Sequence, residues 1–213
     1  VFDHFNITYE PNRKPLELYA TFSSFIASQS DSESLSRESR TFNRKLIDNL
    51  SDQILENISL SIPRPDHLIN NDLYYRLVRN NKENEISATH RDVYFHNVIP
   101  EWNNIKKQIK AVGIEDYKLW IPLVQSSPFA LGVIPGSHAH ESHDDCSYTY
   151  KNGRPVSFVS SYKSDDLKPL YVPLGSGLLF PPGLVHGSVP KNLLGLIRFS
   201  IEFTLGYNTY EDA

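Results

Sequence analysis

The chain has 213 residues, 39% hydrophobic and 22% charged, a balance that suits one globular domain with a sizeable core. Its net charge of −4, with both signs mixed along the chain, offers no basic footprint for nucleic acid, and no apolar run approaches the roughly 20 residues that span a bilayer. The start, Val1-Phe2-Asp3-His4-Phe5, lacks the basic and apolar regions of a signal peptide, and Cys146 stands alone, so the expectation is a cytoplasmic protein without an internal disulfide.

From Pro15 to about Ser28, the apolar residues Leu16, Tyr19, Phe22, Phe25 and Ile26 fall at helical spacing, and Pro15 suits a first helical turn. Phe42, Leu46, Leu50, Ile54 and Ile58 recur every four residues and predict a second amphipathic helix, ended by Pro63 and Pro65. The pattern then changes. Alternation over Leu73 to Val78 predicts a strand, and Ile86 to Phe95 predicts another. A short helix is expected over Ile99 to Val112, with Trp102, Ile105 and Ile109 on one side and Gly113 as its stop. Strands follow at Leu119 to Val124, Phe129 to Ile134, Leu170 to Pro173, Gly177 to Phe180, Val185 to Val189 and Ile197 to Leu205. Residues 139 to 168 read as a polar segment with Asn152-Gly153 as a turn signal. Two helices before many short strands predict a mainly β chain, a sandwich or barrel with the helices packed on one outer face. In the last strand Phe199, Ile201, Phe203 and Leu205 form one face, and Arg198, Ser200, Glu202 and Thr204 form the other, which is expected to line a cavity.

The chemistry concentrates in Thr89-His90-Arg91-Asp92-Val93. On a strand, His90 and Asp92 are two residues apart and point to one face. A further histidine, His186, would complete two imidazoles and a carboxylate around one point, the facial arrangement that holds non-haem Fe(II) and leaves coordination positions open. A 2-oxo acid fills two of those positions and O2 a third. The far carboxylate of 2-oxoglutarate then needs a cation, and Arg198 offers a planar fork for it, with Ser188 or Ser200 as hydroxyl donor. The histidines and acids at His138, His140, His143, Asp144 and Asp145 read as a solvated or substrate-facing segment rather than a second metal site.

These pieces, with Leu119-Trp120-Ile121-Pro122-Leu123, Leu131-Gly132-Val133-Ile134-Pro135-Gly136-Ser137-His138 and Gly175-Ser176-Gly177-Leu178-Leu179-Phe180, resemble the phytanoyl-CoA dioxygenase-like Fe(II)/2-oxoglutarate oxygenases over roughly residues 70–205. The resemblance implies a double-stranded β-helix (jelly-roll, cupin-like) barrel, iron at His90, Asp92 and His186, and 2-oxoglutarate on Arg198 with Ser188 and Trp120 in contact with it. It frames residues 1–213 as one oxygenase domain: a helical part over 1–66 and a β core over 67–206 with insertions at about 96–115 and 139–168. Tyr94, His96, Trp102, His138 and Arg76 are the candidate substrate contacts. The expected activity is hydroxylation of a small-molecule metabolite by a monomer or homodimer. Thr-His-Arg-Asp-Val-Tyr-Phe-His looks most like a branch associated with surface-carbohydrate biosynthesis, so a sugar or nucleotide-sugar comes first as substrate and an amino-acid-like or natural-product intermediate second. The alternative is a cupin-like metal- or carbohydrate-binding module without redox turnover.

Overall fold

The computed structural model describes residues 66–79, 87–93, 107–108, 110–111, 113–125, 130–139, 145–151, 154–189 and 197–209. The two N-terminal helices expected before Pro63, and Tyr94, His96 and Trp102, lie outside these residues. The described strands in chain order are β1 (His67–Arg79), β2 (Ile114–Gln125), β3 (Leu131–Val133), β4 (Cys146–Lys151), β5 (Arg154–Val159), β6 (Lys168–Pro169), β7 (Leu178–Phe180), β8 (His186–Ser188) and β9 (Ile197–Asn208). They form a four-stranded sheet of order β1-β9-β2-β7, a three-stranded sheet of order β6-β3-β8 and the hairpin β4-β5. This is the β-rich architecture of a jelly roll. No described helix is long and apolar enough to cross a membrane.

β9 organises the larger sheet. Its Phe, Ile and Leu residues suit a pleated surface packed on neighbours, and it is laddered antiparallel to β1 on one side and β2 on the other. Phe199, Ile201, Phe203 and Leu205 are at most 2% exposed, so the apolar face is buried as its alternation predicts. The opposite face is also closed at Arg198, Ser200 and Thr204. β2 carries one extra residue between Pro122 and Val124 in its pairing with β9. Proline has no N–H to give the ladder, and the bulge falls beside Ser200 and Arg198.

The two larger sheets enclose a cluster of Trp120 and Phe180 from one sheet and Leu131 and Val133 from the other, with Val172 and Leu184 from the connecting loops. Each such burial stabilises the fold by about 2 kcal/mol. Arg198 joins the sheets as well, donating from β9 to the Ala130 carbonyl beside β3 at 3.2 Å.

Three expectations change. The segment from Ile86 to Phe95 is not a continuous strand where it is described. His90 alone forms a bridge, with its N–H and C=O exchanging bonds of 2.9 and 3.0 Å with His186. The chain then turns at Asp92, because Val93 N–H takes the Pro182 carbonyl at 3.1 Å instead of extending the ladder. The strand expected over Leu170 to Pro173 lies earlier, at Lys168–Pro169, since Leu170 and Val172 pack into the core. The polar segment 139–168 contains the β4-β5 hairpin, whose last described pair is Lys151↔Arg154. The described part of the 99–112 helix is helical, and Gly113 ends it at φ 70°, a conformation that costs glycine little.

Candidate metal centre

His90, Asp92 and His186 come together as predicted, but by a different route. His186 sits in β8, and His90 pairs with it on the side of β8 away from β3. The pairing needs Gly187, because a Cβ there would meet the Ala88 carbonyl at 3.2 Å and Thr89 Cα at 3.4 Å. The two rings stand 4.3 Å apart. Asp92 is delivered by the turn after the bridge, not by strand alternation.

Each imidazole is fixed by the carbonyl two residues before it: His90 Nδ1 donates to Ala88 O at 2.8 Å and His186 Nδ1 to Leu184 O at 2.9 Å. A carbonyl accepts only, so Nδ1 holds the proton and the Nε2 lone pair faces the site, the usual support for a metal-binding histidine. The two Nε2 atoms face different oxygens of Asp92, each at 3.7 Å. That is too long for a hydrogen bond. All three ligand atoms lie within 4.8 Å of one another, and all three residues are buried. Metal–ligand bonds of about 2.1 Å place neighbouring ligands roughly 3 Å apart, so a small contraction would close this triangle on an ion. Burial, with His186 second, pushes the His90 pKa down to about 3, which keeps the ring neutral and able to ligate. Among the described residues this is the one such group of ligands.

Arg91, between two of the ligands, is 1% exposed. It donates to Asp145 at 2.9 Å, at the base of the β4-β5 hairpin, and to the Ser137 carbonyl at 3.5 Å. Ser137 Oγ in turn accepts Val185 N–H at 2.8 Å, next to His186, and Val159 N–H reaches Thr89 O at 2.8 Å. The hairpin base and the Ser137 turn are therefore stitched to both ligand segments. Asp145 is engaged here, and among the described residues it belongs to no second group of metal ligands.

Arg198 is 1% exposed and donates to Ser188 Oγ at 3.3 Å, two residues from His186. Ser188 Oγ also shares a bond with Ser87 Oγ at 3.0 Å. The guanidinium lies 5.6 Å over the Trp120 ring, so Trp120 both fills the core and seats the cation. Burial, with Arg76 second, lowers the Arg198 pKa to about 9. Among the described residues no carboxylate lies within 4.0 Å of it; Glu202 pairs with Lys118 instead. Among the described residues Arg198 Nε and Ser200 Oγ, both buried, have no hydrogen-bond partner. Two such groups on one strand face fit the carboxylate of a bound 2-oxo acid. Half-buried Arg76 pairs with Ser200 across β1 and β9, and its charge acts on both His90 and Arg198. His138 is exposed, in the short turn that follows Ser137.

Lys118 is absent from the expected set. It is 3% exposed on β2, two residues before Trp120, and its ammonium meets Glu202 at 3.4 Å. Burial opposes its charge, but Asp92 and Glu202 outweigh that and raise its pKa. A lysine at i−2 from Trp120, just before the apolar run Leu119 to Val124, was the available signal.

No family model and no curated protein matches the chain. Solved structures do. ThoJ, a non-heme monooxygenase in its apo form, is 12% identical at a TM-score of 0.53, covering 93% of this chain and 72% of its own. EvdO2 from Micromonospora carbonacea var. aurantiaca is 11% identical at 0.53, covering 93% and 84%. HygX from Streptomyces hygroscopicus, solved with nickel and 2-oxoglutarate bound, is 13% identical at 0.51, covering 99% and 86%. At these identities the likeness is one of fold.

Proposed function

We propose that the chain is a non-haem Fe(II)- and 2-oxoglutarate-dependent oxygenase that hydroxylates a small molecule. The observation that carries this reading is Arg198, a buried cation with no described carboxylate at ion-pair distance, tied through Ser188 to the strand of His186. A metal-binding module without turnover needs the three ligands but has no use for such a cation. The fold neighbours support the same reading, since ThoJ is a non-heme monooxygenase and HygX was solved with nickel and 2-oxoglutarate bound.

In this reading His90, Asp92 and His186 would hold Fe(II). Bound there, with 2-oxoglutarate and O2, it would supply the oxidising power for C–H hydroxylation, one oxygen atom entering the substrate and the other leaving in succinate alongside CO2. The chain's own residues do the rest. Arg198 and Ser200 hold the distal carboxylate of the co-substrate, Ser188 and Trp120 fix the guanidinium, and the Ala88 and Leu184 carbonyls keep both imidazoles in the ligating tautomer. Asp92→Ala removes the anionic ligand. We expect iron-dependent succinate formation from 2-oxoglutarate in the wild type and none above background in the variant. Full succinate formation by Asp92→Ala would refute the iron assignment.

A further inference from the structure

Glu202 lies in the middle of β9, laddered to β1 at Tyr74 and to β2 at Trp120. Ile201 and Phe203, on the opposite face, are 0% and 1% exposed. A side chain so placed is closed off along the sheet and from behind. Its side chain is nonetheless 24% exposed, so solvent reaches it across the inner face, the one that carries Arg198 and Ser200. Lys118, its partner at 3.4 Å, is the buried end of the pair. Lys118 is the cross-strand neighbour of Phe180, whose ring meets His186 edge-on at 4.8 Å. The pair is thus linked to His186 through one residue, Phe180, and its more exposed end is Glu202.

We propose that Glu202 and Lys118 anchor the substrate of the oxygenase proposed above, and that the group they take is a pair of adjacent hydroxyls, as on a sugar ring or other polyol. The chemistry selects this class. The pair is neutral as a unit, yet Glu202 keeps lone pairs free and Lys118 keeps N–H donors beyond their mutual contact. A vicinal diol fits both at once, one hydroxyl donating to Glu202 and its neighbour accepting from Lys118, with the ion pair intact. An amino acid would have its full ammonium and carboxylate charges desolvated against a pair that is already neutralised, a larger cost than two hydroxyls carry. A lone anion would meet the Glu202 carboxylate first at the more exposed end. An apolar ligand would desolvate the pair and return no hydrogen bond.

The test is saturation-transfer NMR on the full chain loaded with zinc and 2-oxoglutarate, with methyl glucoside, myo-inositol and L-lysine as millimolar probes. At least one polyol is expected to bind the wild type ahead of L-lysine. Glu202→Gln should weaken it by about tenfold or more, the scale of a hydrogen bond to a charged group, while 2-oxoglutarate still binds. Glu202→Asp keeps the charge and should fall in between, which separates anchoring from a folding defect. Equal polyol binding in all three proteins, a preference for L-lysine, or no polyol binding at all overturns the anchor. Wild-type protein that fails to hold 2-oxoglutarate in the same sample overturns the oxygenase reading itself.

Discussion

The turn that carries His90 and Asp92 and the strand that carries Arg198 place their side chains by opposite means. Arg198 and Ser200 are positioned by β9, which is hydrogen-bonded along both sides and buried on its apolar face. Their positions are inherited from the whole sheet. Among the described residues, the links that place His90 and Asp92 include the bridge to His186, the Val93–Pro182 and Val159–Thr89 bonds and the Arg91 contacts to Asp145 and Ser137. Damage to β9 should therefore appear as lost stability, and damage around the turn as lost metal affinity.

The largest expected effect is on the strand side. Ile201→Ala opens a cavity at a residue with no exposure, and should cost about 2–5 kcal/mol, read as a lower denaturant midpoint of metal-free protein. A shift below the error of the midpoint would mean that β9 is not the organising strand. On the turn side, Arg91→Gln removes the ion pair to Asp145 and leaves all three ligands in place. Metal affinity should fall about 10–100-fold, the usual range for losing a group that supports a ligand, with a smaller loss of stability than Ile201→Ala. If the ranking of the two variants reverses in both assays, the contrast between the regions is wrong.

Acid provides a milder probe of the turn. The folded chain holds His90 at about 3, against 6.5 for the free side chain. Between those values the unfolded chain binds more protons, so stability present above pH 6.5 is lost as the pH falls. Taking metal-free protein from pH 7.5 to 6 should cost about 1 kcal/mol through His90, a change that disappears in His90→Gln. Persistence of the full effect in that variant would move its origin elsewhere.

Much of the site was legible in the sequence because its residue types are chemically demanding. His90, Asp92, His186 and Arg198 were selected by what iron and a 2-oxo acid require, and the structure brings the three ligands together. The route was misread for Asp92. Two-residue alternation put it on the same strand face as His90, whereas a long-range bond from Val93 to Pro182 turns the chain. Glu202 shares a strand face with Arg198, as its alternation predicts. It pairs with Lys118 instead, because the β2-β9 register sets Trp120 opposite Glu202 and brings Lys118 close. Pairings between distant segments are fixed by register, which local pattern does not reveal. Arg91–Asp145, 54 residues apart, was hidden for the same reason.

The most direct test of the central claim is anaerobic addition of Fe(II) and then 2-oxoglutarate to metal-free protein, followed by visible absorption. The account predicts a weak metal-to-ligand charge-transfer band in the wild type. Arg198→Ala should need far more 2-oxoglutarate to reach the same band, with Fe(II) affinity little changed. Bound iron without any band, or identical 2-oxoglutarate titrations for the two proteins, would contradict it.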